Sequence, residues 1–359
     1  MKKLIQILFL MNFSYLFFAI DFIKILDTEK YNIGNNKFVY YEDYYKNNPT
    51  IKKYYCKEQE IKLSGFFISE YEITVKEVKN FIHQTDYPFS FYRDNYWTEF
   101  INNKLNENNS CALLNLYESL MFIQWYSLKI GKEYRLPSNA EWEYAAIHNN
   151  KIKLPYGNPT GIFKDFYVET WRYEIPVFIP ESDCSDFGMK GVLGGSEIVL
   201  DNFSDEMYEK IDKLHENPLI FEDTSCSTIR SGDINYNQRD FSDSFGLYFH
   251  NHIFFNSTYG NEIRLVYAPD TIFNKGRLDE CIWFQNRGFV KETAEIYLRP
   301  DTSEKKNILK EAQEVLILFK STDNLYYRCY YKTDGNWNAG WILASQVSIT
   351  NIPWYINPL

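Results

Sequence analysis

Apolar residues recur at helical spacing in the first half of the chain and at alternating spacing near its end. In residues 111–134, CALLNLYESLMFIQWYSLKIGKEY, Leu113, Leu116, Leu120, Phe122, Ile123 and Trp125 fall on one broad helical face. Gly131 stands where a helix ends in a left-handed residue. In residues 61–82, IKLSGFFISEYEITVKEVKNFI, Phe67, Ser69 and Tyr71 alternate with Ile68 and Glu70, which predicts a strand. Thr74 and Glu77 then stand at capping-box spacing, and Val78, Phe81 and Ile82 supply the apolar face of a second helix. A third helix is announced by Arg135 to Ala146, RLPSNAEWEYAA. Pro137 holds Leu136 extended, and Ser138 and Glu141 repeat the capping-box spacing. Trp142, Ala145 and Ala146 share one face, a large ring beside two small residues, as in a helix pressed closely onto another element. From about residue 285 the pattern changes to short alternating strands. They are separated by turn residues at Asp301, Asp323-Asn324 and Asp334-Gly335, which predicts a small barrel.

These stretches carry a resemblance. RLP-[ST]-x-AEWEYAA resembles the signature of formylglycine-generating-enzyme (sulfatase-modifying factor) domains, which implies an α+β fold that is a variant of the C-type lectin. Residues 61–82 are similar to the family's early strand, turn and helix, and 111–134 to the helix before its signature. Residues 186–203, DFGMKGVLGGSEIVLDNF, resemble "FGLYDM-x-GNVWEWVWDWY"; CSTIRSGDINYNQR (226–239) resembles a late "RGGSW…R" segment; Asn261 to Val266 resembles the closing "GFRLV" strand. The resemblance thus covers about residues 36–269. After a linker at 270–284, residues 285–350 resemble a bacterial SH3 domain. Val290, Ala294, Ile296, Leu298 and Arg299 match one motif, and Gly340 to Ile342 match a late "GWV" strand.

The family's chemistry is not matched. Formylglycine generation uses two cysteine thiols after the late glycine pair to hold copper(I), a soft ion that selects thiolates. From Asp233 to Phe255 this chain has no cysteine. The family's calcium ligands are also degenerate. Gly191 replaces an Asp and Gly195 an Asn, which leaves too few oxygens for a hard cation, and Glu197 is expected in a structural hydrogen bond. No cofactor is therefore predicted. Arg230, Gly232, Tyr236 and Arg239 are the candidates for lining a retained pocket. Glu197, His250 and His252 are weak metal candidates; the two histidines, in HNH, share a strand face, and the bland reading is a pair of solvated imidazoles. No P-loop, dinucleotide glycine motif or nucleophile elbow is present.

Composition and the start of the chain add to this picture. The chain of 359 residues is long enough for more than one domain. Its net charge of −10 argues against nucleic-acid partners. Aromatics reach 18 %, with 30 Tyr and 28 Phe; codon bias accounts for this, the alternative being an aromatic binding surface. Residues 1–20, MKKLIQILFLMNFSYLFFAI, join two lysines to an apolar run and read as an export signal, cleaved or kept as an anchor. Six cysteines in an exported chain permit disulfides without requiring them, and none is spaced for zinc. The expected function is an exported, non-catalytic module of the cell envelope, periplasmic, extracellular or membrane-anchored. It would bind a protein, peptide or glycan, with peptidoglycan a partner for the SH3-like part. The alternative is a metal-dependent oxidoreductase of the formylglycine-generating and non-haem iron superfamily.

Overall fold

The computed structural model describes residues 20–34, 58–85, 111–147, 184–192, 196–202, 215–220, 226–231, 250–254, 261–274, 280–298, 300, 304–321, 323–334 and 336–352. Within them the fold is α+β, with three helices among antiparallel sheets. Helix α1 spans Val75–Thr85, α2 Leu116–Ile130 and α3 Asn139–Ile147. Strands β1 (Phe22–Ile25), β4 (Phe66–Ser69), β9 (Val266–Tyr267) and β5 (Tyr134–Arg135) form one sheet in the order β1-β4-β9-β5. Strands β2 (Thr28–Ile33) and β3 (Gln59–Leu63) form a second. Strands β6 (Ser196–Asn202), β7 (Cys226–Ser231) and β8 (His250–Phe254) form a third.

The helix boundaries follow the caps. At α1, the Thr74 amide donates to the Glu77 carboxylate at 2.6 Å. At α3, Ser138 N–H donates to Glu141 at 2.8 Å and Glu141 N–H returns to the Ser138 hydroxyl at 3.1 Å. Both boxes are those the spacing predicts. Gly131 closes α2 at φ 75°, the left-handed geometry expected of it. The expected start of α2 is corrected. Residues 111–114 are extended, bridging Thr74 through Cys111 and Asn261 through Leu114, and the helix begins only after Asn115. Asn115 and Glu118 form a third capping box, with bonds of 2.8 and 2.9 Å. The one-sided α3 is also corrected: every residue from Asn139 to Ile147 is buried.

Residues from 273 onward form an eight-stranded sheet. It contains β10 (Phe273–Asn274), β11 (Glu280–Val290), β12 (Ala294–Tyr297), β13 (Lys305–Leu309), β14 (Glu314–Ser321), β15 (Tyr326–Thr333), β16 (Asn336–Leu343) and β17 (Val347–Thr350). Their order is β10-β11-β14-β15-β16-β12-β13, with β17 on β11. Its path is open among the described residues, since β13 pairs with β12 and does not return to β11. Strand β10 and the start of β11 fall within the stretch read as a linker. Asn324 and Asp334 take the positive φ of turns, 60° and 51°, at positions where the sequence places them.

The central strands β14, β15 and β16 are buried on both faces. Val315, Ile317, Cys329, Tyr331 and Ile342 join Val290, Ile296, Leu309 and Val347 in one apolar cluster. Alternate residues on the same strands, Leu316, Leu318, Tyr330, Ala339 and Trp341, belong instead to the cluster of α1, α2 and β5. Phe273 joins that second cluster, beneath the Arg135 guanidinium at 4.8 Å. The period-2 alternation thus fills the sheet's own core with one set of side chains and packs the other set onto the preceding region. Gly340 permits the tight inner packing, because a Cβ there would lie 2.1 Å from the Ile296 methyl.

Candidate functional site

The densest polar chemistry lies inside the region before Tyr267, around three buried arginines. Ile263 and Leu265 are wholly buried and fix the strand segment that carries Arg264 between them. Arg264 Nε donates to both Glu197 oxygens, at 2.9 and 2.8 Å. Its terminal nitrogens donate to Glu72 Oε1 at 2.6 Å, to the Glu70 carbonyl at 2.9 Å and to the Lys190 carbonyl. One guanidinium therefore ties together the end of β4, the 184–192 turn, β6 and the closing segment. Gly191 lies beside it at φ 71°, and a Cβ there would come within 2.3 Å of Glu72 Oε1. Glycine is required for both reasons.

The second arginine, Arg135, binds the two Glu141 oxygens through NH1 and NH2, both at 2.6 Å. Glu141 thus serves the capping box and a buried bidentate pair at once. The third, Arg230 on β7, donates to Glu143 Oε2 at 2.9 Å and lies 5.1 Å above the Trp142 ring. The other Glu143 oxygen accepts the Gly34 amide at 2.5 Å. The signature stretch is therefore a set of interior anchors, with Trp142 itself fully buried. Asp201 completes it by accepting the amides of Asn139, at 2.6 Å, and Ile220, at 2.9 Å. Burial raises the Asp201 carboxyl to about 7, against these two hydrogen bonds. Burial likewise raises Glu72 and Glu197, although Arg264 opposes it at both.

A distinct group adjoins Arg264. Ligand atoms of Glu72, Cys111 and Glu262 lie within 4.8 Å of one another, and all three residues are buried. The Cys111 thiol is raised well above its usual value, first by burial and then by the Glu262 and Glu72 carboxylates.

The expected site residues are only partly brought together. Glu197 makes a structural contact, here an ion pair with Arg264. Arg230 is wholly enclosed and engaged by Glu143. Strand register sets Glu197 opposite Arg230, and Arg230 opposite His250, with Thr228 opposite His252. The histidine side chains lie outside the described residues, as do Gly232, Tyr236 and Arg239 entirely. Of the cysteines, Cys111, Cys184 and Cys329 are thiols rather than halves of disulfides. Glu72, Cys111, Glu143, Asp201 and Glu262 escape the sequence reading. Glu72 and Glu143 stand inside quoted motifs, but their arginines lie 192 and 87 residues away, so no local spacing marks them.

Compared with known proteins, residues 34–209 match the family described as sulfatase-modifying factor enzyme 1-like domain. No curated protein matches the chain. Among solved structures it is similar to PvdO from Pseudomonas aeruginosa, at 15 % identity and a TM-score of 0.42 over 68 % of this chain and 93 % of that one. It is also similar to Treponema denticola variable protein 1, at 15 % identity and a TM-score of 0.42 over 70 % of this chain and 98 % of the other.

Proposed function

We propose that this chain, which carries a sulfatase-modifying factor enzyme 1-like domain at residues 34–209, is an exported, non-catalytic binding module of the cell envelope. The observation that carries the reading is the stretch from Asp233 to Phe255, which contains no cysteine. Copper(I) chemistry of the formylglycine-generating kind needs a thiolate pair there, and no other side chain replaces one. Arg230 supports the same reading. Its guanidinium is spent on Glu143 and Trp142 inside the protein.

In this reading the large domain is a C-type-lectin variant whose loops offer a ligand surface, as loops on rigid scaffolds do. The C-terminal sheet is an SH3-like unit for peptides or peptidoglycan, and residues 1–20 direct export. Fractionation of cells making the full chain should place it in the envelope or medium, and the purified protein should sediment with peptidoglycan sacculi. Recovery from the cytosol, with no sedimentation, would reject the reading. The two-unit organisation has its own test. Limited proteolysis should cut between 270 and 286 and leave two resistant fragments, held together on gel filtration by the cluster that Phe273, Leu316, Leu318 and Trp341 share with α2. A single resistant core spanning both units would reject the boundary.

A further inference from the structure

We propose that Glu72, Cys111 and Glu262 form a binding site for one divalent metal ion of the zinc class. The inference is independent of the binding-module reading, since it concerns the interior rather than a ligand surface.

Geometry comes first. The three side chains arise from segments that are hydrogen-bonded side by side. Ala112 N–H donates to the Ile73 carbonyl at 2.9 Å, Ile73 N–H to the Ile263 carbonyl at 3.0 Å, and Ile198 N–H to the Glu262 carbonyl at 2.9 Å. Cys111 bridges Thr74, and Glu262 bridges Glu197. The ligand atoms, within 4.8 Å of one another, are thus held by backbone already fixed in place. Such preorganisation lowers the cost of gathering ligands around an ion.

The second observation is an unsatisfied oxygen. Glu72 is 2 % exposed, and its Oε1 is taken by Arg264 at 2.6 Å. Its Oε2 is buried with no hydrogen-bond partner. Leaving a buried carboxylate oxygen unpaired is costly, and a cation is the partner it lacks. The backbone of Gly191 closes in on the same carboxylate, where a Cβ would lie 2.4 Å from Oε2, so a side chain at 191 would displace the oxygen.

Charge points the same way. When both are ionised, Glu72 and Glu197 share the single Arg264 guanidinium, which leaves one negative charge over before Glu262 is counted. A divalent ion offsets that excess.

The donor set selects the metal. One thiolate with two carboxylates suits zinc or an ion that substitutes for it, such as cobalt(II). Magnesium and calcium prefer all-oxygen shells, and copper(I) prefers more sulfur. The Cys111 thiol, hydrogen-bonded to Glu262, releases its proton on binding the ion.

The full chain, purified without chelator and dialysed against zinc, should retain one equivalent. X-ray absorption should find one sulfur at ~2.3 Å with oxygen or nitrogen completing the shell. Cobalt(II) should give a thiolate charge-transfer band that Cys111→Ala abolishes and Glu262→Gln weakens. The absorption measurement needs no variant, so it decides the matter even where Cys111→Ala does not fold. Folded protein that retains no zinc would overturn the proposal. So would a shell with no sulfur, a shell with two or more sulfurs, or a cobalt band unchanged in folded Cys111→Ala.

Discussion

Before Tyr267, Arg135, Arg230 and Arg264 lie inside the protein, and each meets a carboxylate as buried as itself. In the C-terminal sheet the inner cluster is aliphatic and aromatic, from Val290 through Ile317 and Tyr331 to Val347, although Arg287 and Arg328 are buried beside it. Its Arg287 pairs with Glu314, which retains some exposure, and Arg328 lies 5.9 Å from the Trp341 ring centroid. The first region is therefore positioned by directional contacts between distant segments, and the second by strand alternation. Hydrophobic burial stabilises without specifying direction. Buried ion pairs add little net stability, but breaking one strands a charge in the interior.

Arg264→Ala should break the comparison hardest. It strands Glu72 and Glu197 together and should destabilise the first region by ~3–5 kcal/mol or more. Denaturant unfolding followed by the Trp142 environment reads the effect. A loss near zero would mean that the carboxylates are already neutral in the fold. In the C-terminal sheet the matching change is Ile317→Ala, which leaves a cavity in the inner cluster and should cost ~2–5 kcal/mol. That loss should not depend on pH, in contrast to the first region.

Asp201 sharpens the contrast through pH. Its folded-state carboxyl is raised from 3.8 to about 7 by burial. Below 3.8 both the folded and the unfolded states hold the proton, and its stabilisation is complete. As pH rises towards 7 the unfolded state releases the proton first, so the stabilisation is lost across that window. Thermal midpoints should fall from pH 4 to 7, and Asp201→Asn, which cannot titrate, should flatten part of that slope. A midpoint that rises over the same range in the wild type, and is unaltered in the variant, would contradict the assignment. The smallest effect belongs to a cap. Ser138→Ala removes the hydroxyl that accepts the Glu141 amide and should cost ~1 kcal/mol in thermal or chemical unfolding.

What the sequence discloses is what local spacing encodes. The Thr74 and Ser138 capping boxes and the Gly131 stop each involve residues no more than four apart, and the structure forms all three. The start of α2 is misplaced because its apolar pattern runs on into extended residues, while Asn115, the true cap, carries no apolar signal. The burial of α3 on every side is hidden for a related reason. Glu141 and Glu143 read as polar positions, yet Glu141 pairs inside with Arg135, 6 residues earlier, and Glu143 with Arg230, 87 residues away. The cluster of Glu72, Cys111 and Glu262 spans 190 residues of sequence and exists only once three backbone segments pair. The C-terminal strands were legible from alternation. Their two-sided burial was not, because it depends on what covers the second face.

One assay tests directly the proposal that this chain does not carry out the thiol chemistry of formylglycine-generating enzymes. Purified full-length protein is incubated with copper(I), oxygen and a sulfatase-type cysteine peptide, and the peptide is analysed for aldehyde by mass spectrometry. The account predicts none above a protein-free control, because no cysteine lies between Asp233 and Phe255 to hold the ion. Aldehyde formed in proportion to protein would contradict it, and would mean that cysteines distant in sequence meet at that pocket.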